Sequence, residues 1–176
     1  YRTALSQAPG AVGLRANLAA ALVDCGKAQA AEDELCRTLV LDPKHRDGLW
    51  LSSCLRIGAG DLAGGYRAHH VRWTEPDDGS RGLAFGSLPL WLGQPAEGRR
   101  ILVWGDFGIG DEIIFAPLAQ WLAKQGAEVT LETDPRLVAL CQRSFPDVAT
   151  VARGGAPEHL ERFDYHVPSA LLACFH

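Results

Sequence analysis

A spacing of 34 residues recurs in the first part of the chain and constrains its fold more than any other feature. It separates Pro9 from Pro43, Gly26 from Gly60, Leu5 from Leu39, and Leu39 from Trp73. A fixed period of this length is typical of arrays of helix pairs. In such arrays each pair buries its apolar face against its neighbours, so the sequence predicts a stack of helices.

The stretch "ANLAAALVDCGKAQAAEDELCRTLVLDP", residues 16–43, is the most complete unit. Two stripes of small and aliphatic residues recur at helical spacing, and they comprise Leu18, Ala19 and Leu22, then Ala31, Leu35 and Leu39. Gly26 separates the two predicted helices, and Pro43 ends the second because it cannot continue a helix. This unit resembles the tetratricopeptide repeat (TPR), an antiparallel helix pair.

The TPR resemblance implies one nearly complete repeat over 12–45, the tail of another over 1–11 and a degenerate one over 46–75. Asn17 and Trp50 then fall on first helices, which line the concave face of a TPR stack. Polar and aromatic side chains on such a face anchor peptides. We predict a protein or peptide partner at these two residues, with packing inside the helices or against the next domain as the alternative.

The composition changes after residue 75. The segment "TEPDDGSRGLAFGSLP", residues 74–89, is rich in Pro, Gly, Asp and Ser, which predicts a linker and junction over 76–98. Short apolar runs then alternate with helical patterns, and the predicted strands cover 101–104, 127–133, 148–152 and 164–168, with helices over 111–125 and 135–144. This alternation predicts a parallel sheet, so the fold class is α plus α/β, with helical repeats over 1–75 and a Rossmann-like half-domain over 99–176.

The turn "WGDFGIGDEIIF", residues 104–115, joins the first strand to its helix. No Gly-Lys-Ser/Thr follows, which excludes a P-loop. The dinucleotide motif G-x-G-x-x-G is matched by Gly108 and Gly110, but Ile113 occupies its third position. Asp111 and Glu112 stand where a pyrophosphate would bind and would repel it, so this alternative is the weaker one.

A catalytic base is the better chemical interpretation of the turn. The helix dipole favours an ionised carboxylate at Asp111, which could take a proton from an attacking hydroxyl. Gly108 and Gly110 would let a substrate approach the backbone, and Asp106 and Glu132 are the other candidate substrate-binding residues. The simpler alternative is that Asp111 is only the N-cap of its helix.

Three segments together resemble one family: "GDLAGGYRAHHVRW" (60–73), "LPLWLGQPAEGRRILVWGDFGIGDEIIFA" (88–116) and "FDYHVPSALL" (163–172). The family comprises bacterial proteins that join TPR repeats to a glycosyltransferase-like domain of the GT-B fold, similar to the heptosyltransferases. Two motifs are matched, W-x-G-x-P by Trp91, Gly93 and Pro95, and G-[LI]-G-D by Gly108, Gly110 and Asp111.

The resemblance implies that Asp111 is the general base of a sugar transfer. A GT-B enzyme holds its nucleotide-sugar donor mainly in a second Rossmann-like half, so we expect that donor in the complete protein and no cofactor in this chain. The chain would be the N-terminal portion of a longer enzyme, inactive by itself; it opens at Tyr1 and contains no methionine. Two departures stand against the family pattern: Asp106 and Phe107 replace its Glu-Gln, and Pro117 replaces an Arg that would supply an anion contact on the acceptor side. The alternative is a TPR adaptor with a non-catalytic Rossmann-like cap.

Composition excludes several other classes of protein. A net charge of −4 argues against nucleic acid as a partner, and no apolar run approaches the roughly 18 residues of a membrane span. Five cysteines without a CxxC pair indicate a cytoplasmic protein with reduced thiols. The neighbouring His69 and His70 have no carboxylate or thiol at ligand spacing, so no metal site is predicted.

Overall fold

The computed structural model describes residues 1–69, 85–106, 108–154 and 159–176. The chain divides into two compact units, Tyr1–Glu75 and Pro76–His176. The described part of the first unit is helical, and the second contains a parallel sheet with helices. This combination confirms the predicted fold class at the level of helices followed by an α/β sheet.

The helices of the first unit are α1 (Arg2–Gln7), α2 (Val12–Asp24), α3 (Ala28–Leu41), α4 (Arg46–Gly58) and α5 (Leu62–His69). α2 packs on α3, and α4 packs on α5. The connection inside each pair contains a glycine in the left-handed region, Gly26 at φ +70° and Gly60 at φ +91°. Glycine adopts this conformation without strain, so each pair closes through a short turn into a helix hairpin.

The core of the first unit lies between the helices of these hairpins. Leu18 and Leu22 of α2 and Ala31 of α3 form a buried cluster, and Leu5 and Leu55 pack against it. Ala31 is completely buried, and its small side chain lets α2 and α3 approach closely. The apolar stripes of the sequence therefore face each other in the structure.

α4 and α5 approach closely at Gly65. A Cβ atom there would lie 2.5 Å from Ile57 Cγ1 and 3.0 Å from the carbonyl oxygen of Ser53. The hydroxyl of Ser53 lies 2.8 Å from Nδ1 of the buried His69. His69 is thus a structural residue of this helix pair, while His70 and Trp73 lie outside the described residues.

The strands of the second unit are β1 (Arg100–Trp104), β2 (Glu128–Thr133), β3 (Ala149–Ala152) and β4 (Tyr165–Pro168). They form one sheet in the order β3-β2-β1-β4, and every neighbouring pair is parallel. Each predicted strand is confirmed, and each differs from its predicted bounds by a single residue at the amino end. The order is that of a Rossmann-like half.

Helices connect the strands on one face of this sheet. α6 (Ile109–Lys124) joins β1 to β2, and a 3₁₀ turn with α7 (Val138–Ser144) joins β2 to β3. The core between α6 and the sheet consists of fully or almost fully buried residues, among them Ile101, Val103, Ala119, Leu122, Leu131 and Val167. No helix in the described ranges is long and apolar enough to cross a membrane.

Candidate functional site

The turn after β1 lies at the carboxyl edge of the sheet. β1 lies between β2, which follows it in the chain, and β4, which the chain reaches only after β3, so the strand order reverses between β1 and β4. In parallel sheets, ligands bind in the crevice outside the strand ends at such a switch point. The turn therefore occupies the position where a ligand of this fold is expected.

Asp111 is exposed in the first turn of α6, but it is not the N-cap of that helix. The N-cap is Gly108, whose carbonyl oxygen accepts the backbone N–H groups of Asp111 at 3.0 Å and Glu112 at 3.1 Å. The alternative that Asp111 caps the helix is therefore wrong, because α6 begins two residues earlier than predicted. Its carboxylate stands at the third helical position.

The two glycines of the turn border open space. Gly108 and Gly110 are exposed, and among the described residues a Cβ atom on Gly110 would meet no atom within 4 Å. On Gly108 the same atom would meet, within the described part of the chain, only Oδ2 of Asp111, at 3.9 Å. Packing does not require glycine at either position, so the space beside Asp111 is available to a ligand.

Asp106 and Glu132 are the other two candidate substrate-binding residues, and only Asp106 lies on the same turn as Asp111. Asp106 is half-buried on the same turn, and Phe107 lies outside the described residues. The backbone of Glu132 reaches the turn, since its carbonyl oxygen accepts the N–H of Gly105 at 3.1 Å. Its side chain, however, lies with Leu102 and others on the opposite sheet face, around a hollow of about 1260 Å³. The structure thus brings Asp106, the glycines and Asp111 together and separates the Glu132 carboxylate from them.

Glu112 is buried and anchors the turn, although the sequence predicts only that its charge would repel a bound pyrophosphate. Its side chain is 2% exposed, and Arg153 Nη1 lies 2.7 Å from its Oε1. Its Oε2 accepts hydrogen bonds from the Thr133 hydroxyl at 2.6 Å and from the backbone N–H of Asp134 at 2.7 Å. Three partners at the ends of β2 and β3 compensate the buried charge.

The position of the Glu112 side chain requires glycine at position 105. A Cβ atom at Gly105 would stand 2.4 Å from Cδ of Glu112 and 2.6 Å from its Cγ, which is closer than atoms can approach. Arg153 Nη1 also donates a hydrogen bond to the Gly105 carbonyl oxygen at 3.0 Å. The first residue of the turn is therefore packed and bonded against the same pair of side chains.

A second ion pair borders the anchor. The Arg136 guanidinium binds both carboxylate oxygens of Asp134 at 2.9 Å. These hydrogen bonds hold the pKa of Asp134 well below its usual range. Asp134 is therefore ionised at neutral pH and pairs with Arg136 and, at 3.9 Å, with Arg153 Nη2, so it is not a candidate base.

His166 of β4 lies under the same edge in an apolar setting. Its Nδ1 accepts a hydrogen bond from Trp104 Nε1 at 3.1 Å, and its ring stacks on Phe85 with 4.4 Å between centroids. Burial lowers the pKa of His166 from 6.5 to about 4. The imidazole is therefore neutral at pH 7 and serves as a hydrogen-bond acceptor in the core.

The two predicted protein-binding residues differ in their surroundings. Asn17 is exposed on α2, between the buried Ala16 and Leu18. Trp50 is half-buried, and its ring centroid lies 4.1 Å from that of His69. Asn17 is available on the surface, whereas much of Trp50 is used in packing α4 on α5.

The described residues hold no group of three His, Cys, Asp or Glu side chains that could bind a metal ion. The chemistry available at the edge is that of carboxylates, glycines and backbone groups.

Comparison with known proteins gives limited similarity. No family model matches the chain. The chain is 29% identical over 170 residues to Protein FlbA of Caulobacter vibrioides, which covers 85% of this chain and 28% of FlbA. The chain therefore spans less than a third of the length of this curated relative.

One solved structure aligned with the chain is a mutant of the Thermobaculum terrenum O-GlcNAc transferase. The alignment covers 87% of this chain and 36% of the transferase, with 18% sequence identity and a TM-score of 0.38. A TM-score this low does not establish a common fold.

Proposed function

We propose that this chain is the N-terminal portion of a TPR-coupled glycosyltransferase of the GT-B kind, in which Asp111 is the general base toward the sugar acceptor. The observation that carries the proposal is the contrast between two adjacent carboxylates. Glu112 is buried and paired with Arg153, whereas Asp111 is exposed at the carboxyl edge of the sheet. The resemblance of the Gly108–Asp111 turn to the heptosyltransferase motif supports the same assignment.

In the proposed reaction, the Asp111 carboxylate accepts the proton of an acceptor hydroxyl. The hydroxyl oxygen attacks the anomeric carbon of the donor sugar, and the bond from that carbon to the nucleotide phosphate breaks. The nucleotide leaves with the bonding electron pair, as a diphosphate from UDP-, GDP- and ADP-linked sugars and as a monophosphate from CMP-linked sugars. Gly108 and Gly110 leave room for the acceptor beside the base, and Asp106 on the same turn is the proposed acceptor-side contact, whereas the Glu132 carboxylate lies on the opposite face of the sheet.

The charge of the edge favours a neutral acceptor over a phosphate group. Arg153 offsets the charge of Glu112, whereas the exposed Asp111 adds a negative charge to the first turn of α6. Carboxylates at a helix N-terminus compete with the binding of a phosphate there. We therefore assign the nucleotide-sugar donor to the part of the complete protein outside this chain, and we propose a cytoplasmic location for the reaction.

The test is a turnover assay on the full-length protein with UDP-, GDP-, ADP- and CMP-linked sugars. Release of the free nucleotide is measured for each donor, with and without a cell extract as a source of acceptor. The proposal expects one donor class to be turned over well above the heat-inactivated control. Full-length protein that is folded and releases nucleotide from none of these donors would contradict it.

A second candidate function is peptide binding by the helical unit as an adaptor, with the sheet as a non-catalytic cap. The observation that favours it is the exposed Asn17 between two buried residues of α2. Peptides selected from a random displayed library on the full-length protein should bind an Asn17→Ala variant about tenfold more weakly, a loss typical of one interface hydrogen bond to a polar anchor. Gln29→Ala, on the exposed side of α3, is the matched control. Equal binding by both variants would exclude the Asn17 surface.

A further inference from the structure

The Glu112–Arg153 ion pair contacts the turn at both of its ends. Arg153 Nη1 lies 2.7 Å from Glu112 Oε1 and donates to the Gly105 carbonyl oxygen at 3.0 Å. Gly105 is the first residue of the turn, and Glu112 directly follows Asp111. A single guanidinium nitrogen therefore holds the beginning and the end of the segment that presents Asp111.

The same pair is attached to the two neighbouring strands. Glu112 Oε2 accepts hydrogen bonds from the Thr133 hydroxyl and the Asp134 N–H at the end of β2. The backbone N–H of Arg153, just beyond β3, donates to the Thr133 carbonyl oxygen at 2.7 Å. The turn is thus fixed to the ends of β2 and β3 by side chains, in addition to its covalent link to β1.

We propose that Arg153 and Glu112 are positioning residues, which place the Asp111 carboxylate for proton abstraction; this rests on the function proposed above for Asp111. A general base must lie within hydrogen-bond reach of the proton that it takes. Since Asp111 is exposed, its own side chain is not held by packing, and the backbone beneath it sets its position. That backbone is held by the Glu112–Arg153 pair.

Stability alone is a poor explanation for this pair. The Glu112 side chain is buried while that of Arg153 is 29% exposed, so the desolvation of Glu112 offsets part of the attraction between the two charges. The guanidinium also donates a directed hydrogen bond to the Gly105 carbonyl oxygen, which an apolar contact would not supply. The pair also lies beside the turn and is not part of the apolar core under α6.

The test uses Arg153→Lys in the full-length protein, since lysine keeps the charge but replaces the planar fork by a single ammonium group. Hydrogen exchange followed by mass spectrometry reports the turn without any ligand. Peptides covering 105–112 should exchange about tenfold faster, while those of β1 and the interior of α6 keep their rates, because only local opening is made easier. The kcat for hydrolysis of the best donor in the nucleotide-sugar assay should fall about 100-fold with little change in KM, as expected for a misplaced catalytic group.

Arg143→Lys is the matched control. Arg143 is an exposed arginine in the last turn of α7, outside the turn and the residues that anchor it. It should leave both the exchange of 105–112 and kcat unchanged. Thr133→Val, which removes one hydrogen bond to Glu112 at nearly constant volume, is the second variant if Arg153→Lys does not fold; a smaller change in the same direction is expected.

Three results would overturn the positioning role. They are unchanged exchange of 105–112 in Arg153→Lys, faster exchange spread evenly over the whole sheet, and faster local exchange with unchanged kcat. Failure of the proposed function is recognised separately, because Asp111→Asn would then keep full turnover whatever the exchange rates of the Arg153 variant.

Discussion

At the scale of single residues, a substitution of Gly105 tests how tightly the turn packs against Glu112. In Gly105→Ala the new methyl group would occupy the space of the Glu112 side chain, which is held by three partners and cannot move away freely. We expect the free energy of unfolding to fall by about 1–3 kcal/mol, the usual effect of overpacking. Urea denaturation measures this loss.

Gly110→Ala is the matched control for Gly105→Ala. A Cβ atom at Gly110 has no neighbour within 4 Å, and the residue lies in the first turn of α6. Alanine is the better helix former, so stability should stay the same or rise by up to about 1 kcal/mol. Equal losses in the two variants would show that Glu112 does not fill the space above Gly105.

The lowered pKa of the buried His166 predicts that the stability of the fold depends on pH. Its pKa is about 4 in the folded chain and 6.5 as the ordinary value, so the unfolded chain binds more protons between these two pH values. The stability from the neutral imidazole is therefore complete above pH 6.5 and is lost as the pH falls toward 4. The loss should be on the order of 3 kcal/mol, from about 1.4 kcal/mol for each pKa unit.

The measurement is urea denaturation of the chain and of His166→Gln at several pH values from 7.5 to 4. Glutamine can accept the Trp104 hydrogen bond without titrating, so its stability should decline less steeply over this range. Parallel pH profiles for the two proteins would show that burial of His166 does not govern the acid sensitivity.

At the scale of elements, α3 combines a buried and an exposed face. Leu35 is 1% exposed, whereas Val40 on the same helix is 81% exposed. Leu35→Ala should lower the free energy of unfolding of the helical unit by about 2–5 kcal/mol, as expected for a cavity in a core. Val40→Ala should change it by less than about 0.5 kcal/mol. Helicity followed by circular dichroism during denaturation distinguishes the two, and similar effects would contradict the packing of α2 on α3.

The elements themselves could be predicted because local patterns determine them. The apolar run of β1 and the alternation in β2 identify strands whose carboxyl ends the structure places as predicted. The beginning of α6 could not be predicted in the same way. Aspartate is a better N-cap than glycine in isolation, but Glu112 must reach Thr133 and Asp134, and a helix that begins at Ile109 places it there.

At the scale of the whole molecule, the anchor of the site depends on long-range contacts. Arg153 is 48 residues from Gly105 along the chain, and no local pattern in one sequence links the two. The only local signals in the sequence are an acid at the start of the apolar segment "EIIFA" and an arginine directly after a strand. The candidate base at Asp111 could be proposed from its helix position, whereas the residues that hold it required the folded chain.

The chain corresponds to only a part of its curated relative. It spans 28% of FlbA, so donor binding and turnover are properties to be measured on the full-length protein. What this chain contributes by itself is a helical unit and a sheet whose carboxyl edge presents one exposed aspartate beside two glycines.

The most direct test of this account measures turnover and stability of Asp111→Asn in the full-length protein, beside Glu128→Gln, an exposed carboxylate at the amino end of β2. We predict that Asp111→Asn lowers kcat by about 10²–10⁴-fold, the usual contribution of a general base. Its free energy of unfolding should change by no more than about 0.5 kcal/mol, as for other exposed side chains. Glu128→Gln should resemble the wild type in both. Retained turnover together with a clear loss of stability in Asp111→Asn would contradict the account and make Asp111 a structural residue of the helix.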